Sequence, residues 1–308
     1  MRPVKTPYSF WIDALRLNGS AAWLVFPRVA MFGVWALILA LIHWNKKLPS
    51  LNIEVAPFEA AGAALGLLLV LRTNAGYDRW WEGRKLWGGI TNASRSLAIS
   101  ATAFGPDDPQ WRGLVLRRIA AFAHVCRRSL RGQRDIPEVV ELLGPAEARM
   151  IAESDHMPTT VARLIAIDVR AGLGDFAFLQ ADAQRVALID YIGGCERILK
   201  SPLPLAYAIE VRRFIFLFLI TLPFVLFQQI DKSRAIWLAP LVTVLVAYPL
   251  LAIDKIGHEL QEPFFIYRLN HLSMDEFTST IERNVLALED SSSLDRDAAG
   301  PIHSRRGS

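Results

Sequence analysis

Four long apolar runs constrain the fold of this chain more than any other feature of its sequence. They occupy residues 29–44, 57–71, 214–227 and 235–253. A helix needs about 20 apolar residues to cross a bilayer, with a range of about 17–25. The first and fourth runs reach that length with their flanks, and the other two do so only if their polar ends face protein or water. Buried helices of a soluble protein are the alternative, but four such runs exceed what one soluble core needs. We therefore predict four membrane spans in two hairpins.

The rest of the chain is polar enough to require a body outside the lipid. Of the 308 residues, 52% are hydrophobic and 21% are charged, a mixture that suits a protein lying partly in lipid and partly in water. The long segment between the hairpins carries apolar residues at helical spacing and has no strand pattern of useful length. The predicted fold is an all-α membrane protein, with four transmembrane helices and a large cytosolic helical body.

This hypothesis divides the chain into six segments. Two are the transmembrane hairpins, residues 29–71 and 214–253, the first of which contains the predicted pore-lining helix. The others are an N-terminal cytosolic segment, a cytosolic helical domain, a C-terminal cytosolic helical segment and a tail of disordered composition, at residues 1–28, 72–213, 254–288 and 289–308.

The basic residues predict the orientation in the membrane. Four spans place both termini and the middle segment on one side, where Lys and Arg cluster at the ends of the apolar runs. The two hairpin loops hold only Lys46, Lys47, Lys232 and Arg234. Because loops rich in Lys and Arg stay in the cytoplasm, we expect both termini to be cytoplasmic. This distribution also accounts for the net charge of +4 without a nucleic-acid partner.

The sequence predicts neither an enzyme nor a metal site. The stretch HELQE at residues 258–262 differs from a zinc-protease helix, because glutamate stands where the second histidine ligand is needed. His124 and Cys126 are two residues apart and diverge on a helix, so they cannot form a local base–nucleophile pair. Cys126 and Cys195 lack disulfide or zinc spacing and are predicted to be buried thiols. The basic stretch at residues 127–134 is interpreted as a solvated helix face, with a phosphate site as the alternative.

The second apolar run has the pattern of a pore-lining helix. Small residues fill its first half, which allows close packing of helices in a membrane. Ala63, Leu67 and Leu71 recur every four residues and so lie along one strip of the helix. Several copies around an axis would form stacked apolar rings, which can gate ions by dewetting. Glu59 would then lie at the outer pore entrance and Asn74 just below the neck. Plain helix–helix packing is the alternative.

Three motifs, in order along the chain, strongly resemble those of the bestrophin family and of its bacterial members in particular. They are RTNAGYDRWWEGRKLW within residues 56–98, GCERILKSPLP within residues 194–218, and HELQEPF at residues 258–264. The resemblance covers about residues 8–288. It implies a homopentameric ion channel of the bacterial inner membrane, with four membrane helices and a cytosolic helical body in each subunit. Its partners would be further copies of itself, monovalent ions and the lipid bilayer, and it would need no cofactor.

The resemblance also implies the positions of two constrictions. In the family, the second membrane helix forms a hydrophobic neck, whose positions match Ala63, Leu67 and Leu71. Bulky side chains are usual at all three, so the ring at Ala63 is expected to be wider here. A cytosolic constriction lies at the start of the helix that precedes the Glu-Arg-Ile motif. Phe176 and Leu179 occupy that region, and Leu179 is the better candidate.

Calcium activation is not expected. Eukaryotic members have an acidic loop that clasps calcium, but here Tyr267, Arg268 and His271 replace acidic residues. Calcium prefers six to eight oxygen ligands. Glu262 and Asp275, even with the amide of Asn270, make a poor set.

The predicted ion selectivity rests on the bacterial resemblance and on Glu59. Eukaryotic relatives conduct anions, whereas bacterial relatives resemble cation channels. An apolar neck does not choose the sign of charge, so polar or charged groups along the pathway must do so. A ring of Glu59 carboxylates would favour monovalent cations. An anion (chloride) channel of the same architecture is the alternative, and a membrane scaffold or enzyme without conductance is the third hypothesis.

Overall fold

The computed structural model describes residues 19–45, 54–229, 237–266 and 270–298, together with Ile12 and Ala14, and it describes side chains as far as residue 289. Throughout this part the chain forms helices and no strand, which confirms the all-α fold. The remaining residues of the predicted N-terminal segment and tail lie outside it. The helices whose bounds lie within the described residues are α1 Ala22–Trp44, α2 Val55–Phe104, α3 Pro109–Leu130, α4 Pro137–Leu143, α5 Pro145–Glu153, α6 Met157–Gly172, α7 Asp175–Lys200, α8 Leu205–Gln229, α9 Leu238–Leu260 and α10 Met274–Ala298.

The first of two compact units consists of residues 1–80 and 202–271. It contains α1, the first half of α2, α8 and α9, and these four helices share one apolar core. Large aliphatic and aromatic side chains dominate this core, which includes Val25, Phe32, Leu65, Leu69, Ile215, Leu219 and Leu251. Prolines lie inside α1, α8 and α9, as membrane helices tolerate better than soluble ones.

Three helices of the described chain are long and apolar enough to cross a membrane: α1, α2 and α9. The third predicted span lies in α8, which is not among them. The first nine residues of α8 include the charged residues Glu210, Arg212 and Arg213. The prediction of four spans therefore stays a prediction. The outer faces of α1 and α9 expose large apolar side chains, among them Trp23, Phe26, Val34, Leu41, Leu241 and Leu245. Exposed apolar surface of this extent is typical of a membrane protein.

The second unit consists of residues 81–201 and 272–308. It contains the second half of α2, helices α3 to α7, and α10. Helix α3 is its centre, because every residue from Ile119 to Arg127 is buried. Asp108 caps α3 by accepting a hydrogen bond from the Gln110 backbone N–H, and Pro109 occupies the first turn. The buried thiols of Cys126 and Cys195 also lie in this unit, as predicted.

The prediction of a solvated face at residues 127–134 is wrong for Arg127, Arg128 and Arg131, whereas Arg134 is exposed. The side chains of Arg127 and Arg131 are each only 6% exposed. Arg127 binds Glu138 at 2.5 Å and Asp275 at 2.9 Å, and Arg131 binds Asp275 at 2.7 Å. Burial would raise the pKa of Glu138, but the hydrogen bond from Arg128 and the neighbouring positive charges lower it to about 2. The arginines therefore join α3 to α4 and α10, and a local sequence pattern cannot reveal such partners.

Candidate functional site

Helix α2 carries the predicted pore residues on one exposed face. It runs without interruption from Val55 to Phe104. Leu67 and Leu71 are 61% and 52% exposed, and Ala63 is exposed as well. Leu65 and Leu69, on the opposite face, are almost completely buried in the core of the first unit. One face of the helix is therefore packed in the core, and the other presents the strip of Ala63, Leu67 and Leu71.

Glu59 and Asn74 extend this face at its two ends. Both side chains are exposed. They are separated by 15 residues, which corresponds to about 22 Å along a helix. The exposed face of α2 thus presents a carboxylate, an apolar strip and an amide in that order, which is the order predicted for a pore entrance, a neck and the residue below the neck. A single protomer cannot close a pore, so this face must meet other copies for the strip to become a ring.

Phe176 and Leu179 lie in the second unit, at the start of α7. Phe176 is 92% exposed and Leu179 is 66% exposed. Apolar side chains this exposed contribute nothing to the core of their own unit. They lie in the first two turns of α7, whose first residue, Asp175, binds Arg170 at 2.8 Å. The start of α7 therefore presents an apolar surface that the protomer does not use.

A buried ionic cluster supports α2 directly below the apolar strip. Arg72, 1% exposed, donates a hydrogen bond to the Oδ1 atom of Asp254 in α9. The Oδ2 atom of Asp254 accepts a second hydrogen bond, at 3.3 Å, from Nε of Arg212 in α8. The cluster thus joins three helices at the level where their apolar runs end. The cluster was not among the sequence-based predictions. Arg72 directly follows Leu71 and Asp254 directly follows the fourth apolar run, and these positions could have suggested the pair.

Glycines bring α2 and α9 into backbone contact one turn further along. A Cβ atom on Gly76 would lie 2.8 Å from the carbonyl oxygen of Gly257, closer than a real side chain can approach. A Cβ atom on Gly257 would lie 3.2 Å from Oγ1 of Thr73. Close contact here and the ion pair at Arg72 together fix the rotation of α2 about its own axis. That rotation determines which residues face outward, and so exposes the strip.

The residues considered for calcium binding have other partners. The Asp275 carboxylate accepts hydrogen bonds from Arg131 and Arg127, and the hydrogen bond from Arg131 holds its pKa below the usual range. The backbone oxygen of Asn270 accepts a hydrogen bond from the indole of Trp80 at 2.8 Å. Tyr267 and Arg268 lie outside the described residues. Within the described part, no group of three or more His, Cys, Asp or Glu side chains is placed to hold a metal ion.

Known proteins resemble this chain over most of its length. Residues 4–287 match the model of the bacterial and fungal bestrophin proteins. The voltage-dependent anion channel-forming protein alr2987 of Nostoc is 33% identical over 88% of this chain and 89% of its own. Its counterpart mll4386 of Mesorhizobium japonicum is 34% identical over 87% and 86%. The crystal structure of a bacterial bestrophin homologue from Klebsiella pneumoniae superposes with a TM-score of 0.78, at 27% identity, over 86% of this chain and 98% of that one.

The sequence match, the helical fold and the order of the motifs agree with one another. The family-model match covers both compact units, and the solved structure covers nearly the whole of its own chain. The chain therefore belongs to the bacterial and fungal bestrophin family, which is a family of ion channels.

Proposed function

We propose that this bestrophin-family ion channel is a homopentamer that conducts monovalent anions through a pore lined by α2. The observation that carries the pore assignment is the exposed apolar strip of Ala63, Leu67 and Leu71 on a helix whose opposite face is fully packed. A soluble or purely structural helix would bury such leucines. Arranged around an axis, they form a constriction that water leaves readily, which is a recognised way of gating ions.

The names of the relatives favour anions over the cations that the sequence predicted. The proteins from Nostoc and Mesorhizobium japonicum are both called anion channel-forming. The physical basis of the cation prediction was a ring of Glu59 carboxylates. Glu59 is exposed and lies in the second turn of α2, where water and salt screen its charge. A ring of screened Glu59 carboxylates at the pore entrance changes the local ion concentration there, but it has little effect on which ions pass the neck.

Cation conduction remains the second candidate because of one observation. Glu59 lies on the same exposed face of α2 as Ala63, one helical turn away. If this face lines the pore, the carboxylate faces the ions that enter it. Glu59→Gln separates the two candidates: it should change ion preference strongly in a cation channel and weakly in an anion channel.

We place four helices of each subunit in the membrane, including α8. After Arg213 this helix is apolar as far as Phe227, and its earlier charges are held at the lipid boundary, where Arg212 binds Asp254. With four spans, both termini lie on the side rich in Lys and Arg, which is the cytoplasmic side of a bacterial inner membrane. The second unit and its exposed Phe176 and Leu179 then lie in the cytosol, as a second constriction requires.

The decisive experiment measures currents of the purified protein in planar bilayers under a potassium chloride gradient. A reversal potential near the chloride equilibrium potential supports the proposal, and one near the potassium potential supports the second candidate.

Replacing Leu67 and Leu71 together by Ala should raise the open probability, because a wider neck no longer dries out. The matched control replaces Leu241 and Leu245 together by Ala, since these two leucines are 53% and 63% exposed at four-residue spacing on α9 rather than on α2. Equal effects of the two changes would disprove the neck assignment.

A further inference from the structure

A groove of about 460 Å³ opens on the first unit between α1, α8 and α9. One end of it is polar, with Arg28 from α1, Arg212 from α8, and Asp254 and Lys255 from α9. The other end is apolar. The groove lies on the helices that support α2, and neither the apolar strip nor the start of α7 contributes to it. It is therefore separate from the proposed ion pathway.

The polar end of the groove has an excess of positive charge. Asp254 is its only carboxylate among the described lining residues, and Arg72 and Arg212 already bind it. Lys255 forms an ion pair with Glu259 of the same helix, with 3.1 Å between Nζ and Oε1. Arg28 forms no ion pair with any residue that the structure describes. An anion that enters the groove thus meets Arg28, which pairs with no described carboxylate, and Arg212, whose side chain is 47% exposed.

The level of the groove coincides with the end of the apolar runs. Arg28 directly precedes the first run, which begins at Val29. Arg212 lies two residues before the third run, and Lys255 lies two residues after the fourth. Cationic side chains at such positions lie where the headgroups of a bilayer are. Basic pockets between membrane helices on the cytoplasmic side bind anionic headgroups.

Apolar side chains continue the groove toward the lipid. Met31 is one turn beyond Arg28, and Phe216 is one turn beyond Arg212. They are 53% and 47% exposed, so the protomer leaves this wall uncovered. A small soluble anion would make no favourable contact with these apolar side chains. A molecule with a phosphate at one end and hydrocarbon at the other matches both ends of the groove.

We propose that this groove binds an anionic phospholipid, with its phosphate against Arg28 and Arg212 and an acyl chain along Met31 and Phe216. Because Arg212 also binds Asp254, and Asp254 binds Arg72, the lipid phosphate attaches to the ionic cluster that holds α2. The occupied groove therefore stabilises the three helices around α2, and phospholipid composition becomes a factor in the stability of the channel.

Native mass spectrometry of the full-length protein, extracted in detergent and titrated with phosphatidylglycerol or phosphatidylcholine, tests the proposal. Phosphatidylglycerol should bind more tightly. Arg28→Gln should weaken its binding about fivefold, the effect expected for one basic residue near an anionic lipid surface. Arg28→Lys should keep most of the affinity. The matched control is Arg213→Gln, because Arg213 is close to the same boundary but binds Glu210 and does not line the groove.

Four results would overturn the proposal, of which three are equal binding of the two lipids, equal effects of Arg28→Gln and Arg213→Gln, and displacement of the lipid by inorganic phosphate alone. The last would mean that the groove takes a soluble anion. If phosphatidylglycerol remains excluded until the oligomer dissociates, another copy of the chain covers the groove, and the proposal again fails. Lipid binding is measured by mass, so these outcomes do not depend on whether the protein conducts.

Discussion

Arg72 is a buried cation, and its carboxylate partner, Asp254, is 182 positions away in the sequence. Asp254→Asn would leave its guanidinium enclosed without a negative partner and would also remove the partner of Arg212. Removing one member of a buried pair typically costs about 3–5 kcal/mol. We therefore expect a clearly lower Tm for the detergent-purified variant, measured by intrinsic tryptophan fluorescence during heating.

An exposed ion pair in α8 shows whether the effect of Asp254→Asn comes from burial of the charge or from the loss of any ion pair. Arg213 and Glu210 form an ion pair at 2.6 Å, but both side chains are about two-thirds exposed, at 67% and 66%. Exposed pairs contribute little, so Arg213→Gln should leave the Tm nearly unchanged. Replacing Arg72 by Met and Asp254 by Leu together should recover part of the lost stability, since no buried charge is then left without its partner and Arg212, 47% exposed, keeps access to water. A Tm of Asp254→Asn equal to that of Arg213→Gln would contradict the buried pair.

His124 should make the stability of the second unit depend on pH. Burial lowers its pKa below the ordinary value of 6.5, and the nearby charge of Arg127 lowers it further, whereas the hydrogen bond with Glu282 opposes both effects. The unfolded chain therefore binds more protons than the folded chain once the pH falls below about 6.5. It follows that the free energy of unfolding decreases as the pH drops through this range.

The measurement compares thermal unfolding of wild type and His124→Gln at several values between pH 7.5 and pH 5.5. Wild type should lose more stability on acidification than the variant, whose side chain does not titrate. His156→Gln is a control, because the side chain of His156 is 41% exposed and its hydrogen bond with Glu196 lies outside the α3 core. If wild type and His124→Gln respond equally to pH, another group causes the loss.

Sequence spacing predicts which residues share a face where a single helix places them. The strip of Ala63, Leu67 and Leu71 follows from spacing alone, and the structure places all three on one exposed face. Partners that come from distant helices had no local signal. That is why the Arg72–Asp254 pair was missed and why Arg127 and Arg131 were taken for a solvated face when both are buried against acidic residues.

Helix α2 is the element that links the two units, because its residues as far as Trp80 belong to the first and those from Trp81 belong to the second. Its 50 residues would extend about 75 Å. The change from apolar to charged residues after Leu71 reflects a change of surroundings rather than the end of a helix. A sequence predicts such continuity from the absence of Pro and of helix caps, but the number of helices that cross the membrane depends on where α8 meets the lipid.

The start of α7 is the second element with a predicted function. Phe176 and Leu179 are too exposed to contribute to folding, so replacing both by Ala should change the stability by no more than about 0.5 kcal/mol. If they line a cytosolic constriction, the same change should alter the relative permeability of chloride and larger anions such as thiocyanate. Val186→Ala, on the same helix and 43% exposed, is the control. Unchanged permeability ratios would remove this site from the pathway.

At the scale of the whole molecule, the protomer exposes two kinds of apolar surface. Helices α1 and α9 expose large side chains such as Trp23, Phe26 and Leu245, which suit contact with lipid. Helix α2 exposes a narrower face that begins with small residues, among them Ala60, Ala63 and Ala64. Small residues favour close approach of helices in a membrane. This difference predicts that copies of the chain meet along α2 and that lipid covers α1 and α9.

Assembly can be tested by placing a bulky residue on each surface in turn. Native mass spectrometry of the wild type should give a particle of five copies. Ala64→Trp should reduce the fraction of pentamer, because the exposed face of α2 no longer allows close packing. Leu41→Trp should leave the pentamer intact, since Leu41 is 46% exposed on α1 and a larger apolar side chain is tolerated in lipid. The opposite result, with Leu41→Trp dissociating the particle and Ala64→Trp leaving it whole, would put α1 between subunits and α2 in lipid. The strip of α2 could then not line a pore.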